Sequence, residues 1–572
     1  MVAFWANIIR AALITAGISL PHGAVANGIS GDYLAARQAS FLGDFKAAAH
    51  YYDRALKFDP DRPELLERGV LSNLALGEVE VAAGLARHMA ELGLTSQIAH
   101  MAIVARDAKD ENYAAVIQAI NEKRGLGPLA DGLVLAWSKL GQGDMSEALV
   151  DFDEVKKVQG LGSFAIYHKA LALASVGDFE NAELLLSSDE GIALAMTRRG
   201  VMAHCEMLSQ LDRNQDALDL LSRSFGRDLD PELDAMRTAL EVGEKLTFTH
   251  VRSPRDGISE VFFTLGGALA NENNDELTLI YTQLAEYLRP DHVDAILLTG
   301  EVLDAMQRYE LAVTTYGRVP ADDVSHHAAE LGRAAALRAQ DKNDEAIEVL
   351  KALAQSHGEL PVVHSTLGDM LRAEEQYSEA TAAYSKALGL YEEVTDRQWF
   401  LYYTRGIANE RQGDWEAAEA DFRKALELNP DQPQVLNYLG YSLVEKQLKL
   451  DEALDMIERA VAKQPNAGYI VDSLGWVLYR LGRYEESVPH MERAAELMPI
   501  DPIVNDHLGD VYWAVGRTRE AEFMWKRALS FADWEGAAEE TDVDRIRRKL
   551  EVGLDQVLSE EGAEPLKVAN GD

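Results

Sequence analysis

The side chains best suited to chemistry in this sequence are aromatic rings, amides and charges that recur around three glycines near the C-terminus. Around Gly440, Gly475 and Gly509, most of them stand one position after the glycine or three or four positions to either side, which is the spacing of one helix face. The ten positions are Asn437, Tyr441, Tyr469, Asp472, Trp476, Tyr479, Arg480, Asp506, Asp510 and Trp513. Rings supply contact area at little entropic cost and amides bond to an extended backbone, so this set predicts binding of a protein or an extended peptide.

The same ten residues also allow a purely structural interpretation. Some of the rings can fill the seams between neighbouring helix pairs, and Asp472 and Asp506 can be solvated charges on adjacent helices. The spacing alone does not decide between these two roles for any single residue.

No constellation in the sequence predicts an enzyme, a cofactor or a metal. There is no P-loop, no glycine-rich dinucleotide fingerprint, no nucleophile elbow and no zinc-protease motif. The 14 histidines lack ligand spacing, and the adjacent pair His326-His327 diverges by about 100° on a helix. A catalytic site would have to be organised by residues 244–257, where Arg252 and Arg255 stand.

The composition of the chain further limits the classes of partner that it can bind. The 572 residues include 55 Lys+Arg and 95 Asp+Glu, a formal net charge of −40. That charge disfavours nucleic acids and anionic membrane surfaces, both of which would be repelled. Cys205 is the only cysteine, which excludes a disulfide framework, and its apolar surroundings predict a small buried side chain in a helix.

A repeat of about 34 residues organises most of the chain. Its glycines recur at nearly equal intervals, at Gly406, Gly440, Gly475 and Gly509. Alanines at 425, 460, 494 and 528 keep the same register, and prolines at 430, 465 and 499 close successive units. The register continues upstream in weaker form, and we count about fourteen helix pairs between residues 29 and 535.

This pattern resembles the tetratricopeptide repeat, a helix–turn–helix unit of about 34 residues. The Leu-Gly element recurs at Leu439-Gly440, Leu474-Gly475 and Leu508-Gly509, and Phe422 and Trp525 occupy the large apolar slot of the second helix. The resemblance implies an all-α fold, a right-handed superhelical solenoid whose concave wall is lined by first helices. It also implies two superhelical segments if residues 244–257, rich in Thr, Pro and Gly signals, interrupt the array.

The domain organisation follows from these patterns. Residues 1–26 have a lone Arg10, an apolar run and an Ala-x-Ala site, which predicts a signal peptide cleaved after Ala26 and a periplasmic location. The remaining divisions are divergent repeats at 27–243, the interruption at 244–257, middle repeats at 258–398, well-matched repeats at 399–535, a capping helix at 541–558 and a disordered tail at 560–572. Whether 244–257 is a hinge or a contact loop stays open.

The block at about 400–535 is similar to that of exported proteobacterial repeat proteins, some of which are outer-membrane lipoproteins that serve as adaptors of a periplasmic carboxyl-terminal processing protease. No cysteine stands near the cleavage region to carry such a lipid anchor. The resemblance implies a non-enzymatic periplasmic scaffold or adaptor that binds another protein, with a protease or its substrates as partners. The alternative is a structural component of envelope polysaccharide or lipoprotein export.

The acidic residues of the predicted binding face indicate which chemical groups the ligand presents. Repeat proteins that bind chaperones grip a terminal carboxylate with Lys, Arg and Asn, whereas this wall offers Asp472, Asp506 and Asp510. We therefore expect a ligand with exposed amides, basic side chains or free amines.

Overall fold

The chain is helical in the computed structural model, which describes residues 29–122, 124–127, 130–188, 197–226, 229–272, 274–532, 541–563 and 566. Two compact units divide it, unit 1 at residues 1–349 and unit 2 at residues 350–572. Over the described residues there are 31 α-helices and no β-strand. The prediction of an all-α fold built from helix pairs is therefore confirmed.

Among the described residues, the helices of unit 1 follow one another in pairs joined by short turns, and α13 packs singly against α12. They are α1 (Ile29–Phe41), α2 (Phe45–Leu56), α3 (Pro63–Ala75), α4 (Val79–Glu91), α5 (Gln97–Lys109), α6 (Tyr113–Asn121), α7 (Asp131–Gly141), α8 (Met145–Lys156), α9 (Gly162–Ser175), α10 (Phe179–Leu186), α11 (Arg198–Gln210), α12 (Asn214–Phe225), α13 (Pro231–Glu241), α14 (Pro254–Ala270), α15 (Asp275–Leu288), α16 (Val293–Ala305), α17 (Tyr309–Tyr316), α18 (His326–Arg338) and α19 (Asn343–Ser356). The division between the units falls within α19.

Unit 2 continues with further pairs of the same kind and ends in two short helices. They are α20 (Pro361–Ala373), α21 (Tyr377–Gly389), α22 (Trp399–Arg411), α23 (Trp415–Leu428), α24 (Pro433–Glu445), α25 (Leu450–Lys463), α26 (Gly468–Arg480), α27 (Tyr484–Leu497), α28 (Pro502–Ala514), α29 (Thr518–Ala532), α30 (Val543–Val552) and α31 (Leu554–Glu560). A 3-10 turn at Asp396–Gln398 precedes α22.

Glycines hold the paired helices of unit 2 close together. A Cβ on Gly406 would come within 2.7 Å of the Phe422 ring, and one on Gly509 within 2.4 Å of the Trp525 ring. Phe422 and Trp525 are both fully buried. The second helix can therefore insert a large ring only where the first helix lacks a side chain, which is why the two residue types recur in one register.

The first helices of unit 1 are covered in part by later helices of the same unit. α14 packs against α5, α7 and α9, while α15 packs against α3 and α5. On α14, Ile258, Val261, Phe262 and Leu265 are at most 3% exposed and follow the i, i+3, i+4, i+7 spacing of one helix face. Unit 1 thus fills, with its own chain, much of the side that its first helices would otherwise present to a partner.

A buried charge cluster, made of Glu260, Arg199, Tyr167, His292 and Asp294, joins α14 to its neighbours. Glu260 is fully buried and accepts hydrogen bonds from Arg199 Nε at 2.9 Å and from the Tyr167 hydroxyl at 3.0 Å. Arg199 also pairs with Asp294, and His292 Nε2 lies 3.4 Å from Glu260. Burial by itself would raise the pKa of Glu260, but Arg199 and His292 outweigh it and hold that pKa well below its ordinary value.

The segment predicted as an interruption, residues 244–257, lies inside unit 1 and not between the two units. Only its first part is non-helical, because α14 already begins at Pro254, where Ser253 caps the helix by accepting from the Asp256 N–H. Arg252 pairs with Asp256 and Asp291, so it holds the turn before α14 in place. The structure therefore corrects the predicted boundary: a proline that suggested a break is the first residue of a buried helix.

We expect Gly257→Ala to loosen α14. A Cβ at this position would lie 2.2 Å from a ring carbon of Trp137, which is fully buried. Overpacking of this kind costs about 1–3 kcal/mol, offset in part by the better helix propensity of alanine. Hydrogen exchange of the α14 amides in the full chain should report a net loss of protection of about 1–2 kcal/mol.

Gly267→Ala is the matched control for that substitution. It lies in the same helix, and no atom lies within 4 Å of the Cβ that alanine would add. Alanine there should leave protection unchanged or raise it by up to about 1 kcal/mol. Equal exchange in the two variants would contradict the tight seating of α14 against Trp137.

The C-terminal segment predicted as one capping helix at 541–558 forms two helices, α30 and α31, separated at Gly553, whose φ is 83°. Ile546 and Leu554 are at most 1% exposed and pack in the core of unit 2, and Val557 is 3% exposed. The predicted signal peptide at 1–26 and most of the predicted tail at 560–572 lie outside the described residues.

Candidate functional site

A groove lies on the first-helix side of unit 2, between α22, α24, α26 and α28. Its cavity has a volume of about 400 Å³, which is in the range of cavities that hold small ligands or a short stretch of peptide. It is lined by Glu410, Arg411, Asn437, Tyr438, Tyr441, Ser442, Glu445, Lys446, Tyr469, Asp472, Ser473, Met498, Asp501, Ile503, Val504 and His507. Four of the ten residues predicted to bind a partner are among them: Asn437, Tyr441, Tyr469 and Asp472.

Asn437 is the groove residue with unused hydrogen-bonding capacity. Its side chain is 8% exposed, and its Oδ1 has no hydrogen-bond partner within the described part of the chain. A buried oxygen left unbonded costs about 1–3 kcal/mol, so an N–H group from a ligand that reached it would gain that amount. Tyr469, at 46% exposed, offers an accessible ring in the same groove.

The structure corrects the prediction for Trp476, Tyr479 and Arg480. The Trp476 ring is 9% exposed, stacks on His507 at a centroid distance of 3.9 Å and donates its Nε1–H to Glu445 at 2.7 Å. Tyr479 stacks on Trp476 and is 7% exposed, while Arg480 lies 3.6 Å from Glu445. These side chains form the seam between neighbouring repeats, because His507 from the next first helix covers the indole.

Asp506 and Asp510 do not form a solvated acidic wall either. Lys549 from α30 is fully buried and places its Nζ 2.8 Å from Asp506 and 2.7 Å from Asp510. Asp510 also accepts the Trp525 Nε1–H at 2.9 Å, and Arg545 lies 3.6 Å from it. The expectation of an exposed acidic face is therefore corrected, since a lysine from a later helix neutralises it.

Trp513, the last predicted residue, is covered by the same C-terminal segment. Its Nε1 donates to Asp555 at 3.0 Å, and a Cβ on Gly553 would come within 2.6 Å of its ring. The ring also stacks in a tilted arrangement on Trp525. Trp513 thus anchors the turn between α30 and α31, and it does not line the groove.

His507 and Asp472 form an ion pair at one end of the groove. His507 Nδ1 lies 3.0 Å from Asp472 Oδ2, and both side chains are largely buried. Burial lowers the pKa of His507, but Asp472, Asp506 and Asp510 outweigh it, so the pKa is raised above its ordinary value. The raised pKa favours the protonated form of His507, whose positive charge offsets the negative charge of Asp472.

The groove also contains residues that sequence reasoning missed. Met498, Ile503 and Val504 supply an apolar wall, and they stand in the turn before α28 and in its first turn. Glu410 and Lys446 come from the ends of first helices and lie 3.7 Å apart. A search that included the last turn of each first helix and the turn before the next would have found them.

Cys205 is buried, as predicted, and burial raises the pKa of its thiol to about 12. In the parts of the chain that the structure describes, no group of three or more His, Cys, Asp or Glu is placed to hold a metal ion. None of the described helices has both the length and the apolar character that a membrane span requires.

Comparison with known protein families identifies repeats in several parts of the chain. Family models described as tetratricopeptide repeat match residues 33–62, 297–361, 359–431 and 444–502. The prediction of tetratricopeptide repeats is confirmed for these segments. In general terms this finding supports a scaffold for protein–protein interaction.

Curated relatives match shorter stretches. A TPR repeat-containing protein of Pseudomonas aeruginosa is 31% identical over 119 residues, 21% of this chain and 20% of that protein. ER membrane protein complex subunit 2-A of Xenopus laevis is 28% identical over 195 residues, 33% of this chain and 64% of that protein. Photosystem I assembly protein Ycf3 of Synechococcus elongatus is 37% identical over 73 residues, 13% of this chain and 42% of that protein. The chain thus spans less than two thirds of each of these relatives.

Two solved structures show the extent of similarity in three dimensions. The Cut9–Hcn1 hetero-tetramer of the APC/C is 13% identical, with 92% of this chain and 96% of that chain covered at a TM-score of 0.37. MamA is 20% identical, with 29% of this chain and 94% of that chain covered at a TM-score of 0.27. Neither similarity identifies a function for this chain.

Proposed function

We propose that this protein is a non-enzymatic scaffold or adaptor that binds a segment of another protein in the groove of unit 2. The observation that carries the proposal is Asn437 Oδ1, a buried and unbonded acceptor in a groove that also presents the Tyr469 ring. An extended peptide backbone supplies N–H donors at regular intervals and fits such a site. The tetratricopeptide repeats around the groove support the same role.

Unit 2 is the preferred docking unit for a structural reason. The first helices of unit 1 already contact α14 and α15 of the same unit, through an apolar face and the buried charge cluster. A partner would have to displace fully buried side chains there, whereas the groove of unit 2 is open to a ligand.

The proposal includes a periplasmic location and an envelope protease or its substrates as partners. The apolar run and Ala-x-Ala site at residues 1–26 favour export to the periplasm, and the similarity of residues 400–535 to exported repeat proteins favours an envelope protease or its substrates as partners. Fusion of residues 1–40 to a reporter that folds only after export tests the first point. Reporter activity no higher than that of the same reporter without residues 1–40 would contradict it.

We expect the double variant Asn437→Ala Tyr469→Ala to lose partner binding at least tenfold. Asn437→Ala removes the unbonded acceptor, and Tyr469→Ala removes an exposed ring, so together they take away both features of the groove. The loss of one ring and one hydrogen bond at an interface corresponds to about 1.4 kcal/mol or more. Affinity purification of the full chain followed by quantitative mass spectrometry measures the change.

Asn466→Ala is the control. Asn466 is exposed in the turn before α26 and accepts a hydrogen bond from Arg493, away from the groove. It should recover the same partners as the unaltered chain. If the groove double variant also recovers them in full, the groove is not the binding site. Trp476→Ala and Tyr479→Ala are unsuitable for this test, because both rings are buried in the seam between repeats.

A further inference from the structure

The charges that line the groove of unit 2 are already used within the chain. Glu445 accepts the Trp476 Nε1–H at 2.7 Å and lies 3.6 Å from Arg480, and Asp472 pairs with His507 at 3.0 Å. Asp501 accepts the Val504 N–H at 3.0 Å and so caps α28. Each of these carboxylates therefore already has a partner within the chain, and the Glu445 side chain is in addition 42% exposed to solvent.

Glu410, at the other end of the groove, is also paired within the chain. It lies 3.7 Å from Lys446 Nζ, and that ammonium group stands 5.0 Å from the centroid of the Trp415 ring. A charged side chain of a ligand that bound to one of these groups would take the place of its present partner within the chain. Exchange of this sort brings little net gain, because the group that is displaced loses its own partner.

The surface that a ligand can use without breaking such a pair is apolar or neutral. Met498, Ile503 and Val504 form one wall, and the half-exposed Tyr469 ring stands in the same groove. The unbonded Oδ1 of the buried Asn437 side chain requires a donor, and a backbone N–H is a neutral one. Two independent features, the paired charges and the unbonded acceptor, thus point to the same kind of ligand.

We infer that the groove selects an extended, uncharged and predominantly apolar segment of its partner, and not the basic segment that the acidic sequence suggests. This inference rests on the proposed function and narrows its partner class. Backbone N–H groups of the segment bond to Asn437, and its apolar side chains pack on Met498, Ile503 and Val504. Because no charge pair forms across the interface, binding depends little on ionic strength.

A random dodecapeptide display library, selected on the immobilised full chain, tests the inference. Each recovered peptide is then measured on the Asn437→Ala Tyr469→Ala variant, so that only groove-dependent peptides are counted, and on Asn466→Ala as the control. We expect the groove-dependent peptides to be enriched in apolar residues and depleted in Lys, Arg, Asp and Glu relative to the unselected library. Their affinity, measured by fluorescence anisotropy, should change less than twofold between 50 and 500 mM NaCl.

The possible outcomes separate the two claims. Groove-dependent peptides that are enriched in Lys or Arg, or whose affinity falls tenfold or more across that salt range, would overturn the inference and leave the groove as a binding site. If none of the recovered peptides depends on the groove, the proposed function fails, and the inference fails with it. Circular dichroism of both variants checks that a loss of binding does not come from a loss of the fold.

Discussion

Glu260→Gln is expected to destabilise unit 1 by about 3 kcal/mol, although the two side chains have nearly the same shape. The carboxylate is fully buried and is the partner of Arg199, whose side chain is 16% exposed. Removal of one member of a buried ion pair costs about 3–5 kcal/mol, and the lower end applies because Asp294 still faces Arg199. Hydrogen exchange of the α14 amides in the full chain measures the loss, since these amides report local opening of this helix.

Glu276→Gln is the matched control, because Glu276 lies on the adjacent helix α15 and is exposed. A surface substitution of this kind changes stability by about 0.5 kcal/mol or less. If both glutamine variants retain the same protection in α14, the buried charge cluster does not hold α14 in place. A second variant, Tyr167→Phe, removes one hydrogen bond to Glu260 and should cost only about 1 kcal/mol.

The same cluster predicts how the stability of unit 1 depends on pH. The folded-state pKa of Glu260 is well below its ordinary value, since Arg199 and His292 outweigh the effect of burial. Its contribution is therefore fully present above the pKa of an unfolded glutamate, about 4.3, and is lost as the pH falls from there through the folded-state pKa. Acid titration of α14 protection in the unaltered chain should show this loss, and Glu260→Gln should lack it.

Lys549→Met is expected to release the C-terminal helices at a cost of about 3–5 kcal/mol. The ammonium group is fully buried between Asp506 and Asp510, so methionine leaves two carboxylates close together without their main partner. Burial and the neighbouring Asp510 raise the pKa of Asp506, and Lys549 opposes that rise. Limited proteolysis and hydrogen exchange over residues 543–560 measure the release.

Two further variants make this prediction specific. Arg547→Met changes a cation on the same helix whose side chain is 61% exposed and pairs only with the exposed Asp544 among the contacts described, so it should cost about 0.5 kcal/mol or less. The triple variant Lys549→Met Asp506→Asn Asp510→Asn removes the unpaired charges and should recover most of the protection. Release of α30 in the Arg547→Met variant, or no release in Lys549→Met, would contradict the role assigned to Lys549.

The repeat architecture was predictable because its cause is local. A glycine in the first helix and a large ring in the second, such as Gly406 with Phe422 and Gly509 with Trp525, are the two sides of one helix-to-helix contact within a single repeat. Because both residues of the contact belong to the same repeat, their spacing along the chain is enough to predict the helix pair. Asn437, Tyr441, Tyr469 and Asp472 were placed in the groove by the same local rule, since helix geometry determines which residues share a face.

Only the tertiary structure decided which of those faces stay accessible and what charge they present. Asp506 meets Lys549 across 43 positions of the chain, and Glu260 meets Arg199 across 61. Helical periodicity identifies a face but contains no information on the distant segment that covers it. The formal charge of −40 therefore suggested an acidic binding wall, whereas the folded chain has paired the carboxylates of that wall and left an amide and apolar surface for the partner.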